Sequence, residues 1–392
     1  MTSSQTTPSE AEPGTPSLWV VILAGGIGSR FWPVSTPDRP KQLLPLGSER
    51  ALIRDTVDRA LKVVPAGRLR ILTGVHLLEP LSQALPELPR ECYLLEPMAR
   101  GTGPVLAWAA HAIAQEDPDA VLISLHADHV IHPEPAFSSL LRAAARVARD
   151  EDCLLTVAVP PTRPETGYGY IKPGKAIPAP EGFAAFRVSA FVEKPDAATA
   201  TRYVEEGYLW NSGLFIWPVR RFLRELKEHS PEMAPALVGL AAGGSVEDFF
   251  HHVTGISVDE AVLERSARVA SIEATFQWDD VGSWEALSRT RTADAQGNVV
   301  VGDGHLVETR DSIAFAETGP VVLFGVQNLV VVRQGPITLV MDRDRAPELK
   351  RLLDALPPEV VSGSQTRDGS DPSGVTRTQA ASGHHDPDGT QP

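Results

Sequence analysis

The chain alternates two kinds of apolar pattern. Residues 19–23, Trp-Val-Val-Ile-Leu, form a short unbroken apolar run that ends at Gly25-Gly26, as expected of a parallel strand buried on both faces that runs into a glycine loop. Residues 51–64 carry Leu52, Val57, Ala60, Leu61 and Val64 at helical spacing. A second strand is predicted over 69–72, a helix over 105–113, and a strand over 120–125 that ends at His126-Ala-Asp-His129. Strands alternating with helices imply right-handed βαβ units, hence an α/β fold with a mostly parallel sheet and flanking helices. Beyond about Asn298 the pattern shortens. Runs at 299–301, 321–324 and 329–332 lie between Gly, Asp and Asn and predict a small β-rich part closed by a helix over 346–356.

The ends read differently. Residues 1–17 are rich in Ser, Thr, Pro and Glu, and residues 362–392 hold Val375 as their only large apolar side chain. Neither composition can build a core. His384-His385 in that tail is read as incidental rather than as a metal site. The expected organisation is a disordered leader over 1–17, a catalytic domain over 18–290, a β-rich domain over 291–358 and a disordered tail over 359–392.

Composition narrows the function. With 36 basic and 50 acidic residues the net charge is −14, which argues against a general nucleic-acid binder. A hydrophobic share of 42% is ample for a core, and no apolar run reaches the roughly 18 residues of a membrane span. The first basic residue is Arg30, so no secretory or transit signal is visible. Cys92 and Cys153 match no metal or redox spacing and fit a reducing cytoplasm.

The glycine loop, Leu23-Ala-Gly-Gly-Ile-Gly-Ser-Arg-Phe-Trp-Pro33, is the most informative segment. Glycines let main-chain N–H groups close around phosphate oxygens. Arg30 adds a charged donor fork, and Lys41, in Arg39-Pro-Lys-Gln42, is placed to return a second charge. The loop lacks the Gly-Lys-Ser/Thr ending of a Walker loop. It also lacks the third glycine of a dinucleotide fingerprint, because Phe31 stands there. Alone, roughly half of such glycine turns are only turns. The Arg-x-x-Pro and Pro-Lys-Gln that follow weigh against that plain reading.

Gly-Gly-x-Gly-x-Arg-x-x-Pro followed by Pro-Lys-Gln resembles the signature of sugar-1-phosphate nucleotidylyltransferases, and the Phe-Trp-Pro form resembles the mannose-1-phosphate guanylyltransferase branch. The resemblance runs from about residue 18 to 356. It implies a Rossmann-like sheet, a C-terminal part of left-handed β-helix type, and transfer of GMP from GTP to mannose 1-phosphate with Mg2+, for which Mn2+ can substitute. On the nucleotide side it implies Leu23, Ala24, Gly25, Gly26, Gly28, Ser29, Arg30, Lys41, Glu96, Arg100, Thr102 and Asp128. Asp128, at the carboxyl end of its strand, and Asp280, in Trp278-Asp-Asp-Val-Gly-Ser-Trp284, are implied as metal ligands. Taken alone, each would be a cap or loop residue. Asp279 stands beside Asp280 as an alternative. Asp259 is a weaker candidate near sugar or metal, with a capping role as its equal.

Three further motifs carry the likeness in the family's order: Glu165-Thr-Gly-Tyr-Gly-Tyr-Ile171, Phe191-Val-Glu-Lys-Pro195 and Trp210-Asn-Ser-Gly-Leu-Phe-Ile-Trp217. By resemblance Gly169, Glu193 and Asn211 meet the sugar, and Lys194 its phosphate. Read without it, they are a β-turn, an exposed charged pair and an Asx turn. Neighbours on a strand face opposite ways, so Glu193 and Lys194 need not form a salt bridge. Arg30, Lys41, Asp128, Lys194 and Asp280 are the expected catalytic set.

Two departures stand out. Where the family has Arg-Asn-Thr-Ala-Pro, this chain has Arg100-Gly-Thr-Gly-Pro104, which loses a side-chain contact and frees the backbone. His126 stands where the family commonly has proline. No second catalytic module follows the β-rich part, so the isomerase fusion of some relatives is not expected. The β-rich part is expected to pack on the catalytic part or to support a homo-oligomer. The alternatives are another nucleotide or hexose, or a silent sugar-nucleotide sensor. The sensor would have lost one of the five catalytic residues, and all five are present.

Overall fold

A computed structural model describes residues 16–26 and 28–361; the expected leader up to residue 15 and the tail from 362 lie outside the described residues. The strands of the first part are β1 (Leu18–Leu23), β2 (Leu69–Gly74), β3 (Tyr93–Glu96), β4 (Val121–His126), β5 (Val130–His132), β6 (Leu154–Val159), β7 (Gly169–Ile177), β8 (Ala185–Glu193), β9 (Leu209–Pro218), β10 (Val269–Glu273) and β11 (Gln277–Asp279). Nine of them form one sheet in the order β3-β2-β1-β4-β9-β6-β10-β8-β7, and β11 pairs with β5 apart from it. β3, β2, β1 and β4 are parallel throughout, as the apolar runs predict. β9 then enters antiparallel between β4 and β6, and β8 is antiparallel to both β10 and β7. All the strands of this sheet except β8 and β9 therefore run one way.

Helices cover both faces. Val20 and Ile22 of β1 face a layer that includes Ile53 and Val57 of the helix Leu52–Leu61 and Phe137 and Leu141 of the helix Glu134–Asp150. Trp19 and Val21 face the other way, into a layer with Leu106 and Ile113 of the helix Thr102–Glu116 and Phe222 and Leu226 of the helix Val219–His229. The period-2 alternation of one strand thus feeds two cores.

The C-terminal sheet is β12 (Val299–Val307), β13 (Ile313–Phe324), β14 (Leu329–Gln334) and β15 (Ile337–Asp342), in sequence order. It packs on the catalytic part through an aromatic column. Trp284 meets Phe31 on one side and Phe315 on the other, with ring centroids 5.1 and 5.0 Å apart, and Arg39 pairs with Glu317 at 2.5 Å. The closing helix starts later than its apolar spacing suggests. Residues Arg343–Glu348 form a 3-10 stretch and the helix is Leu349–Ala355, because Pro347 has no N–H to give an α-turn. Among the described residues, those up to Ala355 form one compact unit; the next, from Leu356, contains the short helix Pro358–Val361.

Candidate active site

The glycine loop leaves the carboxyl end of β1, beside β4, where open α/β sheets take ligands. Ala24 anchors it: its N–H donates to Leu72 O at 2.9 Å, and its carbonyl accepts from Gln42 Nε2 at 2.9 Å and Thr73 Oγ1 at 3.1 Å. Gly28 is left-handed at φ 71°, and a side chain there would overlap Lys41 Cβ. Only glycine lets the loop lie this close to Lys41. Leu23, Ala24, Gly25, Gly26, Glu96, Thr102, His126 and Asp128 line one cavity of about 310 Å3 with Gln42 and Gly101. Burial raises the Glu96 carboxyl above the usual carboxylate range.

Other expected nucleotide residues stand aside from this wall. Ser29 and Arg30 lie exposed in the turn Ser29–Phe31, and the Arg30 guanidinium has no partner among the described residues. Arg100 donates through Nε to Phe250 O at 3.1 Å, a contact within the fold. Gly101 and Gly103 fit a tight junction rather than a freed backbone. Gly103 N donates to Ile256 O at 3.1 Å and Ile256 N to Arg100 O at 3.1 Å. A Cβ on Gly101, at φ +85°, would stand 2.7 Å from Ile256 O.

Lys41 joins the two aspartates. It is 7% exposed, and its ammonium donates to Asp128 Oδ2 at 2.8 Å and to the main-chain oxygen of Asp280 at 2.5 Å. The pairing of β5 with β11, with Val130 opposite Asp279, brings these distant segments together. Burial works against the charge of Asp128, but Lys41 and the imidazoles of His129 and His126 outweigh it and hold the carboxyl at about 2. Asp280 goes the other way: burial raises it, helped by Asp279 and Asp128, against the pull of Lys41 and Tyr168. Tyr168 OH donates to Asp280 Oδ1 at 2.5 Å. Asp279 is spent elsewhere, on Arg289 Nε at 2.6 Å and Val281 N at 2.8 Å.

The donor set suits a hard dication. Asp128 Oδ1 and Asp280 Oδ2 have no hydrogen-bond partner among the described residues. Two carboxylates completed by substrate phosphates are the usual protein share of a Mg2+ site.

The sugar-side candidates fall in one row. Gly169 of β7 pairs with Glu193 of β8 and with Asn211 of β9. A Cβ on Gly169 would lie 2.5 Å from Glu193 Oε2, so glycine is what lets the three strands close here. Asn211 is fixed by Thr156 Oγ1, which donates to Oδ1 at 2.8 Å, and its Nδ2 donates to Asp259 Oδ1 at 3.0 Å. Asp259 is therefore a partner of Asn211, not a cap. Burial, joined by the charge of Glu193, lifts it to about 7. Lys194 does reach Glu193, with Nζ to Oε1 at 2.7 Å. The strand ends at Glu193, and Lys194 takes φ 47°, which breaks the alternation that would have separated them. Lys194 N also donates to Tyr168 O at 3.1 Å. Tyr168 thus touches both Asp280, through its hydroxyl, and Lys194, through its main-chain oxygen.

Gln42, Tyr168, His126 and His129 were not singled out as site residues by their motifs. Tyr168 lies in the 165–171 motif, but nothing in its neighbours foretells that its hydroxyl meets Asp280, 112 residues away.

The α/β sheet, the glycine loop at a parallel strand end and a lysine that meets two aspartate segments fit the nucleotidyltransferase class. Residues 19–297 match the Nucleotidyl transferase family, and residues 297–356 the MannoseP isomerase/GMP-like beta-helix domain. The chain is 37% identical over 351 residues to a mannose-1-phosphate guanylyltransferase of Salmonella muenchen, covering 86% of this chain and 72% of that one. It is 36% identical over 352 residues to that of Escherichia coli K12, covering 86% and 73%. A crystal structure from Thermus thermophilus, described as a mannose-1-phosphate geranyltransferase, superposes with a TM-score of 0.79 at 32% identity, covering 86% of this chain and 99% of that one. The chain belongs to the mannose-1-phosphate guanylyltransferase family and is an enzyme of sugar-1-phosphate nucleotidylyl transfer. Among the described residues no helix is long and apolar enough to cross a membrane.

Proposed function

We propose that this chain transfers GMP from GTP to mannose 1-phosphate, releasing pyrophosphate. The observation that carries the reading is the Lys41–Asp128–Asp280 junction beside the glycine loop, joined through Tyr168 to Lys194. A phosphate oxygen of the sugar phosphate attacks the α-phosphorus in line; one P–O bond forms and the bond to pyrophosphate breaks. The nucleophile is already an anion, so no general base is needed, and alignment and charge neutralisation carry the rate.

The main chain of residues 23–26, 28 and 29 cradles the phosphates, and Glu96 and Thr102 border the nucleoside. Arg100 acts by fixing the 100–103 loop. Arg30, free to swing in, and Lys41 hold the leaving phosphates. Lys194 holds the attacking phosphate, while Gly169, Glu193 and Asn211 orient the sugar. Asp128 and Asp280 would hold Mg2+ or Mn2+, which neutralises phosphate charge when bound. The two buried thiols, Cys92 and Cys153, go with a cytoplasmic location.

Pyrophosphate release with mannose 1-phosphate and Mg2+, run separately with GTP, ATP, UTP, CTP and dTTP, tests this. Release with GTP alone is expected. Release with another nucleotide overturns the base assignment, and silence with every nucleotide and several sugar phosphates points to a sensor.

A further inference from the structure

We propose that His126 is a nitrogen ligand of the metal held by Asp128, so that this site gains affinity for ions such as Co2+ beyond what its carboxylates give while still taking Mg2+. The inference rests on the metal role proposed above for Asp128. His126 is the last residue of β4 and lines the same cavity as Asp128, two residues on. One ring nitrogen of His126, one of His129 and a carboxylate oxygen of Asp128 all lie within 4.8 Å of one another. Two donors about 2.1 Å from one ion stand at most about 4.2 Å apart, so a small side-chain rotation suffices.

The two imidazoles are not equivalent, although they stack with centroids 4.6 Å apart. Trp278 Nε1 donates to His129 Nδ1 at 3.0 Å, which puts the His129 proton on Nε2 and leaves no lone pair for an ion. His126 makes no hydrogen bond among the described residues. Asp128 keeps Oδ1 free while Lys41 takes Oδ2. Gly213 makes room for the ring: at φ +72° it carries no side chain, and a Cβ there would sit 2.7 Å from His126 Nε2. An all-carboxylate site favours hard ions, whereas adding an imidazole shifts preference along the Irving–Williams order.

Calorimetric titration of the full chain with Co2+, and separately with Mg2+, in the absence of nucleotide tests this in wild type and His126→Asn. Loss of Co2+ affinity by about tenfold or more, with Mg2+ affinity changed less than about twofold, is expected. Pulsed EPR of the Mn2+-loaded wild type should show the 14N coupling of a directly bound imidazole, retained in His129→Asn. Equal Co2+ affinity in both proteins, no Co2+ binding by wild type, or no 14N coupling overturns the proposal. Should His126→Asn fail to fold, the EPR of wild type and His129→Asn decides it: coupling lost in His129→Asn also overturns it. The nucleotide panel with Mg2+ judges the reaction separately, so failure of this inference is distinguishable from failure of the proposed function.

Discussion

At the scale of single residues, the site turns on one ammonium. Lys41 is nearly sealed from solvent and satisfies both aspartate segments, so its stem must lie against Gly28 with no Cβ between. Asp128, held at about 2, is ionised throughout the working range and needs no titration to act. Asp128→Asn keeps the shape and removes the charge. Turnover should fall by about a hundredfold or more while the dissociation constant for GTP moves far less. Steady-state rates set beside equilibrium binding check this, and near-normal turnover with ample Mg2+ would refute the assignment. The choice between Asp279 and Asp280 shows what adjacency hides. Their sequence context is shared, but β11 turns Asp279 toward Arg289 and leaves Asp280 with Lys41 and Tyr168. Likewise the Glu193–Lys194 ion pair depends on a single positive φ that no residue pattern announces.

At the scale of elements, strands and helices with strong periodicity were legible from the chain. β1 and the helix Leu52–Leu61 fall within the predicted segments to a residue or a few, because their apolar spacing is a local property. Loops were less so. The Gly101 and Gly103 substitutions suggest a looser segment, yet the structure uses them for close backbone contact with Ile256. Gly101 combines φ 85° with ψ 178°, a region open essentially to glycine. Restoring the family residue by Gly101→Asn should therefore cost about 1–3 kcal/mol of stability. Denaturant unfolding of the two proteins measures it, and an unchanged midpoint would show that the loop relaxes freely. The late start of the helix Leu349–Ala355 has the same origin, a main-chain constraint at Pro347 overriding side-chain spacing.

At the scale of the whole molecule, the site is made by convergence. β1 brings the glycine loop, β5 and β11 bring the aspartate segments, and β7, β8 and β9 bring Gly169, Glu193 and Asn211 into one row. Stability should record this through Asp259. Its folded pKa, about 7, lies above its unfolded value of about 3.9, so its contribution is full below about pH 4 and is lost as pH rises through 7. Asp259→Asn removes that titration. Its melting temperature relative to wild type should rise by about 2 °C or more between pH 5 and pH 8, and a constant offset across that range would mean the carboxyl ionises normally. The sequence alone determined the alternation of strand and helix, the glycine loop after β1 and the β-rich C-terminal part, since these follow from local periodicity and glycine placement. Only the tertiary structure decided that Lys41 meets the Asp128 carboxylate and the Asp280 main-chain oxygen, that Tyr168 touches both Asp280 and Lys194, that His126 rather than His129 keeps free ring nitrogens, and that the C-terminal sheet rests on Phe31 through Trp284. Those are contacts between residues far apart along the chain, set by strand pairing and packing that no local pattern encodes.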